Sequence, residues 1–320
     1  MRWCHLHSLT RTRGPAGIPM TWRRATLALL PAVGLFATLA VVKIPPATSS
    51  QEKEKNVPGL RWDPPRVDIP IPSLSMTPSC ALPDVLKQAG QRAEELVDHL
   101  QSFTAHELVR YEQKSASVTL GPQQTEMSIT AKFDYIVDFG KKSGPIQVHE
   151  IRTPLPGTSS EYLRATLDKG LPALALIFYP TIQSDYEMRC EGATEWNNHP
   201  AWVVYFRQMK GKRPRTVAME TATKVYPLGI KGRAWIATES GQVIHLETNL
   251  VNGIPMIELE ENSFSVDYAP VRFQTQNVQM WLPQFAVAYV DYAEHRMITE
   301  HAFSDFQLFS VQTQEIMQKP

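Results

Sequence analysis

The sequence predicts an α+β fold built on one large, mainly antiparallel β-sheet packed on a few helices. Three observations carry that expectation. Residues 231–250 read as two β-rich arms around a turn at Glu239, Ser240, Gly241 and Gln242, and further strand-like stretches follow. Met127, Ile129, Ala131, Phe133, Tyr135, Val137 and Phe139 alternate with mainly polar residues, the period of a half-buried strand. The helical signals sit early in the chain and do not alternate with strands as βαβ units would.

The chain of 320 residues has room for one large or two modest domains. Its formal charge of zero hides an asymmetry. Residues 1–43 carry six of the 32 cations and no acid, which leaves 26 cations against 32 acids in the rest. A mildly acidic body argues against a nucleic-acid partner.

Arg23 and Arg24 precede an uncharged apolar run, residues 25–42, in the order of a secretory signal. Met20 lies just before this run and is a candidate for the true start. Pro31 and Gly34 weaken a spanning helix, and no clean A-x-A cleavage site follows. Residues 1–43 are therefore read as a signal sequence or an N-terminal anchor. Either route exports the chain, to the periplasm or beyond, with membrane proximity through residues 25–42.

Residues 44–82 form a Pro-rich linker, with Pro45, Pro46, Pro58, Pro64, Pro65, Pro70, Pro72 and Pro78. Such density forbids helix and favours extended chain, either a spacer or a disordered tail. Residues 83–320 are expected to be a single α+β domain. In residues 84–103, Val85, Leu86, Ala89, Ala93, Leu96, Val97, Leu100 and Phe103 form one apolar helical stripe, suited to covering a sheet. Residues 105–114 enter the sheet, 126–139 are a firmer strand, and 146–152 are its neighbour.

Ser160 and Glu161 resemble a helix start, and the apolar stretch 171–179, with Pro172 in its first turn, predicts a buried or cavity-lining helix. Strands return at 186–192 and 201–209, the second apolar on both faces. In the final third, Ile257 and Leu259 fall out of parity with Phe264, Val266 and Tyr268, which predicts a bulge near Glu260 and Glu261. Strands at 278–282, 285–292 and 297–309 complete the set, with a turn at 293–296.

Cys80 and Cys190 remain as an even pair once the leader, with Cys4, is set aside. In an exported chain they predict a disulfide, the alternative being two free thiols. No metal site is expected. His106 and Glu107 begin an H-E-x-x-H pattern, but Arg110 stands where the second histidine would be. His295 and His301 are too far apart on one strand to share an ion and are assigned to the surface. His245 and Glu247 are read as outward residues of the hairpin without a partner. No G-x-S-x-G, P-loop or G-x-G-x-x-G motif occurs, and no cofactor is implied.

The hairpin from Gly232 to Glu247, with its Trp235 and Ile236 strand, its Glu239 to Gln242 turn and its returning strand, resembles the LolA/LppX-like lipoprotein-carrier superfamily. Trp281, Leu282, Pro283 and Gln284, and Phe303 to Phe309, look more like secreted acidobacterial proteins of unknown function. The resemblance covers residues 83–310 in layout and only the last third in residues. It implies a half-barrel wrapped on helices, with an apolar cavity for acyl chains. It matches no binding motif of the family, so it assigns no ligand residue.

Aromatic and apolar residues on the strands and on 171–179 supply the candidate cavity lining: Phe133, Tyr135, Trp202, Trp235, Trp281, Leu174 and Phe178. The expected function is an exported cell-envelope protein that binds a lipid or acylated ligand between sheet and helices. The alternatives are an envelope scaffold with an exposed apolar patch, and a hydrolase whose site no local motif reveals.

Overall fold

The computed structural model describes residues 59–72, 74–75, 79–99, 102–115, 125–140, 146–158, 170–221, 224–273 and 278–308. The leader at 1–43 and the helix start at Ser160 and Glu161 lie outside them. The described residues belong to one unit, Asn56–Pro320.

Two α-helices, α1 (Leu82–His99) and α2 (Pro180–Gln183), accompany twelve strands among these residues. The strands are β1 (Ser102–Ser115), β2 (Thr125–Gly140), β3 (Gln147–Pro154), β4 (Tyr186–Trp196), β5 (His199–Gln208), β6 (Ala218–Glu220) and β7 (Val225–Pro227). They continue with β8 (Ile230–Ala237), β9 (Val243–Leu250), β10 (Leu259–Phe273), β11 (Val278–Tyr292) and β12 (His295–Leu308). Ten of them form one open sheet in the order β3-β2-β1-β12-β11-β10-β9-β8-β5-β4, and β6 and β7 make a small separate hairpin. Every pairing in the large sheet is antiparallel. The α+β class and the layout of an early helix followed by a long antiparallel sheet are those expected.

Local details follow the sequence pattern closely. The β8–β9 hairpin turns through Gly241 at φ +70°. Ala293 and Glu294, both at positive φ, make the two-residue turn between β11 and β12. The register of β10 on β11 slips between Leu259 and Glu261, where the parity change foretold a bulge. Two boundaries differ. Helix α1 stops at His99, and Phe103 belongs to β1, where it shares a face with Ala105. The strands expected at 278–282 and 285–292 are one strand, because Pro283 sits at a register shift that tolerates a residue without an N–H.

The sheet is covered on both faces. On one, Val85, Ala89, Ala93 and Val97 of α1 pack with the 3₁₀ turn Leu174–Phe178 onto Phe206, Ile236, Leu246, Phe264 and Val266. Gln183 Nε2 donates to the Leu86 carbonyl at 3.2 Å and ties α2 to α1.

The opposite face carries part of the Pro-rich segment, which is neither a spacer nor a tail from Gly59 onward. The chain runs as a strap across the strands, extended apart from a turn in which the Ile69 N–H donates to the Arg66 carbonyl at 3.0 Å. Leu60 packs on Tyr289 and Ile298, and Lys114 Nζ donates to its carbonyl. Asn249 donates to the Pro65 carbonyl at 2.9 Å and accepts from Val67 N–H at 3.2 Å. Asp68 pairs with Lys231 at 2.5 Å, and Ile71 and Leu74 cover Val203, Trp235 and Ile244. Ser75 bridges to Ala193, and the Cys80–Cys190 disulfide follows, with Cα atoms 6.3 Å apart. The strap's prolines suit it to this course: it needs extended chain and few backbone donors.

Candidate functional site

On the helix face a polar strip crosses the edge of the sheet near β1, β2, β3 and β12. Glu107 lies on the same side of β1 as Ala105 and Val109, and it is almost fully buried. Arg152 grips it with two bonds, Nε to Oε2 at 2.6 Å and Nη2 to Oε1 at 3.0 Å. His301 Nδ1 lies 2.7 Å from the same Oε1. Burial pushes the Glu107 carboxyl up, but the His301 hydrogen bond and the Arg152 charge outweigh it and hold it down to about 2. Beside this group Tyr135 donates to Glu150 at 2.7 Å, and the Gly170 N–H donates to the other Glu150 oxygen at 2.6 Å. The strip divides the main core from a second apolar group containing Val109, Tyr111 and Phe133. Its oxygens are engaged, so it acts as an internal crossbeam.

Gly170 opens the apolar stretch that follows, and Glu150 thereby anchors it. Leu171, Leu174, Leu176, Ile177 and Phe178 are at most 2% exposed. Phe178 meets Phe206 edge-on at 6.4 Å. These side chains fill the space in which the ligand cavity was expected. The gap left among Phe103, Tyr135, Leu171 and Phe303 admits no water-sized sphere.

Space does remain on either side of this plug. Between α1 and strands β9 to β11 the packing leaves an opening of about 230 Å³, lined among others by Ala93, Leu96, Val243, Tyr268, Met280 and Trp281. Arg92 spans its rim, donating to the Ser240 carbonyl at 2.8 Å and pairing with Glu95 at 2.7 Å. Tyr268 is buried, which pushes its hydroxyl well above the usual phenol range. That hydroxyl has no hydrogen-bond partner among the described residues. A second opening of about 440 Å³ lies between β3, the plug and the β6–β7 hairpin, with Val148, Leu176 and Val225 in its walls.

The expected cavity residues are scattered. Trp281 lines the opening under α1. Tyr135, Leu174 and Phe178 are buried in the main core, Trp202 packs against it, and Phe133 lies in the group beyond the crossbeam. Trp235 must be corrected: it is on the strap face, because Ala234 and Ile236 take the helix-facing positions of β8.

Two histidine assignments are also corrected. His301 is not on the surface but wholly buried against Glu107. His245 does have partners. It stacks on Trp196 at 3.8 Å, and its Nδ1 lies 2.8 Å from Asp267 Oδ1, which also accepts from Trp196 Nε1 at 3.1 Å. Burial opposes its protonation, but the hydrogen bonds to Asp267 and Glu247 outweigh it and raise its pKa. His295 stays half exposed, 3.1 Å from Glu126. Among the described residues no group of three or more His, Cys, Asp or Glu side chains converges to hold a metal ion.

Several solved structures align with most of this chain at low sequence identity. A putative outer membrane lipoprotein-sorting protein domain from Vibrio parahaemolyticus aligns over 72% of this chain and 94% of its own, at 10% identity and a TM-score of 0.40. A DUF1329 family protein from Desulfovibrio piger aligns over 71% and 92%, at 10% identity and a TM-score of 0.35. The Mycobacterium tuberculosis lipoprotein LppX aligns over 71% and 96%, at 11% identity and a TM-score of 0.23. No family model and no curated protein sequence matches the chain.

Proposed function

We propose that this chain is an exported cell-envelope protein that holds a hydrophobic, lipid-like ligand between α1 and the sheet. The observation that carries the reading is the Tyr268 side chain, which lines an opening with mixed apolar and polar walls and whose buried hydroxyl is unpartnered among the described residues. A buried hydroxyl left without a hydrogen bond costs about 1–3 kcal/mol. A ligand with an apolar body and one oxygen would remove that penalty while covering Ala93, Leu96, Met280 and Trp281. Export is supported by the basic lead and apolar run at residues 23–42, and by a disulfide of the kind that persists in oxidising compartments.

Titration with a long-chain fatty acid, read by tryptophan emission in the parent and in Trp281→Phe to isolate the Trp281 signal, tests the reading. A saturable change is expected in the parent protein. Tyr268→Phe should weaken binding by roughly tenfold, the worth of one buried hydrogen bond. Ala93→Phe, which fills the opening, should abolish it. Native mass spectrometry of protein taken from its own envelope supplies the second reading. No saturable response together with no co-purifying lipid would remove the proposal.

A further inference from the structure

The body of the chain is acidic, yet residues 207–215 hold Arg207, Lys210, Lys212, Arg213 and Arg215 and no acid. This stretch leaves the end of β5 and turns at Gly211, φ +85°. Asp185 engages Lys212 at 3.4 Å and Arg215 at 3.2 Å. Lys210 and Arg213 are exposed and have no acidic partner among the described residues. The same end of the sheet exposes apolar side chains that a purely aqueous surface does not favour. Met209, inside the basic stretch, is 38% exposed, and Met256, which follows the facing Ile254 and Pro255, is 81% exposed. Met209, Lys210 and Lys212 form one wall of a groove whose other wall includes Val251 and Ile254. Val225, 53% exposed, lines the neighbouring opening together with Pro214 and Arg215.

We infer that this end of the molecule docks on an anionic lipid surface. Cations alone would suit any polyanion. Methionine and valine set among them suit a bilayer, whose charged headgroups meet the lysines and arginines while its acyl boundary takes the apolar tips. Each cation near such a surface contributes a modest, salt-sensitive attraction. The docking surface is separate from the opening under α1, so it stands without the ligand proposal.

Co-sedimentation of the full chain with vesicles of phosphatidylglycerol and phosphatidylcholine, or of phosphatidylcholine alone, tests it. Residues 1–43 are common to every arm, so the readout is the difference between parent and variant. The parent should bind the anionic vesicles more tightly than the neutral ones, and salt should erase the difference. Lys210→Gln and Arg213→Gln should each weaken anionic binding by roughly fivefold. Met209→Ser with Met256→Ser should weaken it without altering the salt dependence. Equal binding to both vesicle types overturns the inference, as do variants that bind like the parent. So does heparin binding that is as tight as vesicle binding and indifferent to the methionine changes, because that marks a soluble polyanion site.

Discussion

Glu107 shows how much a single position decides. Its carboxylate holds Arg152 and His301 together inside the protein, with no solvent to replace it. Glu107→Gln would leave the Arg152 charge buried without its main counter-ion, and such losses cost about 3–5 kcal/mol. Urea denaturation should show that fall in stability, and an unchanged midpoint would mean the pair contributes little. The folded carboxyl titrates at about 2, below its ordinary value of 4.5. Its contribution is therefore fully present above the unfolded value and is lost as pH falls through the folded one. The acid limb of the parent's stability profile should be shallower in the variant. Glu107 was also legible in principle. It occupies the parity of Phe103, Ala105, Val109 and Tyr111, and a carboxylate on the apolar side of a strand asks for a buried partner. His301 breaks the apolar pattern of β12 in the same way. What periodicity could not supply was the partner, because Arg152 reaches Glu107 across β2 and from a different strand pair.

At the scale of elements, period-two reasoning found what period two can encode. The β8–β9 hairpin, the bulge at Glu260 and the turn at Ala293 and Glu294 were all readable. The strap was not, since extended proline-rich chain has no period and looks the same whether it is free or docked. Trp235 failed for another reason. Both faces of β8 are buried, and alternation sorts residues into two sets without saying which set meets the helices. The strap's crossing point is tight. Gly192 sits at φ +143° in a bulge of β4, and a Cβ there would lie 2.8 Å from the Ser75 carbonyl oxygen. Gly192→Ala should cost roughly 1–3 kcal/mol and raise hydrogen exchange at the Ser75 and Ala193 amides, which now bond each other's carbonyls at 2.8 Å. Exchange that is unchanged at those amides would show that the strap adjusts without release.

At the scale of the whole molecule, one covalent link joins the two coverings of the sheet. Cys80 ends the strap, α1 begins at Leu82, and Cys190 belongs to β4 at the end of the strand order. The Ser75 bridge to Ala193 and the disulfide both fasten the chain at the β4 edge, between the strap on one face and α1 on the other. Replacing both cysteines by serine should lower stability by about 2–5 kcal/mol. The loss should appear first as exchange in residues 65–75, ahead of the central strands. A variant as stable as the parent would show that the non-covalent anchors at Asn249 and Lys231 suffice.

The sheet order also bears on how such a chain can be made. Strand β1 lies between β2 and β12, so one of its two neighbours arrives last; Arg110 and Glu300, paired across that seam, are 190 residues apart in sequence. A polypeptide leaving a ribosome or a translocation channel offers its first strand long before that neighbour exists. Until then β1 has an open hydrogen-bonding edge, and Glu107 lacks His301. Folding in step with synthesis is closed to this topology, and the seam must zip after residue 308 has emerged. During that wait β1 is held on its other edge by β2 alone, and the seam is the last part of the sheet that can form.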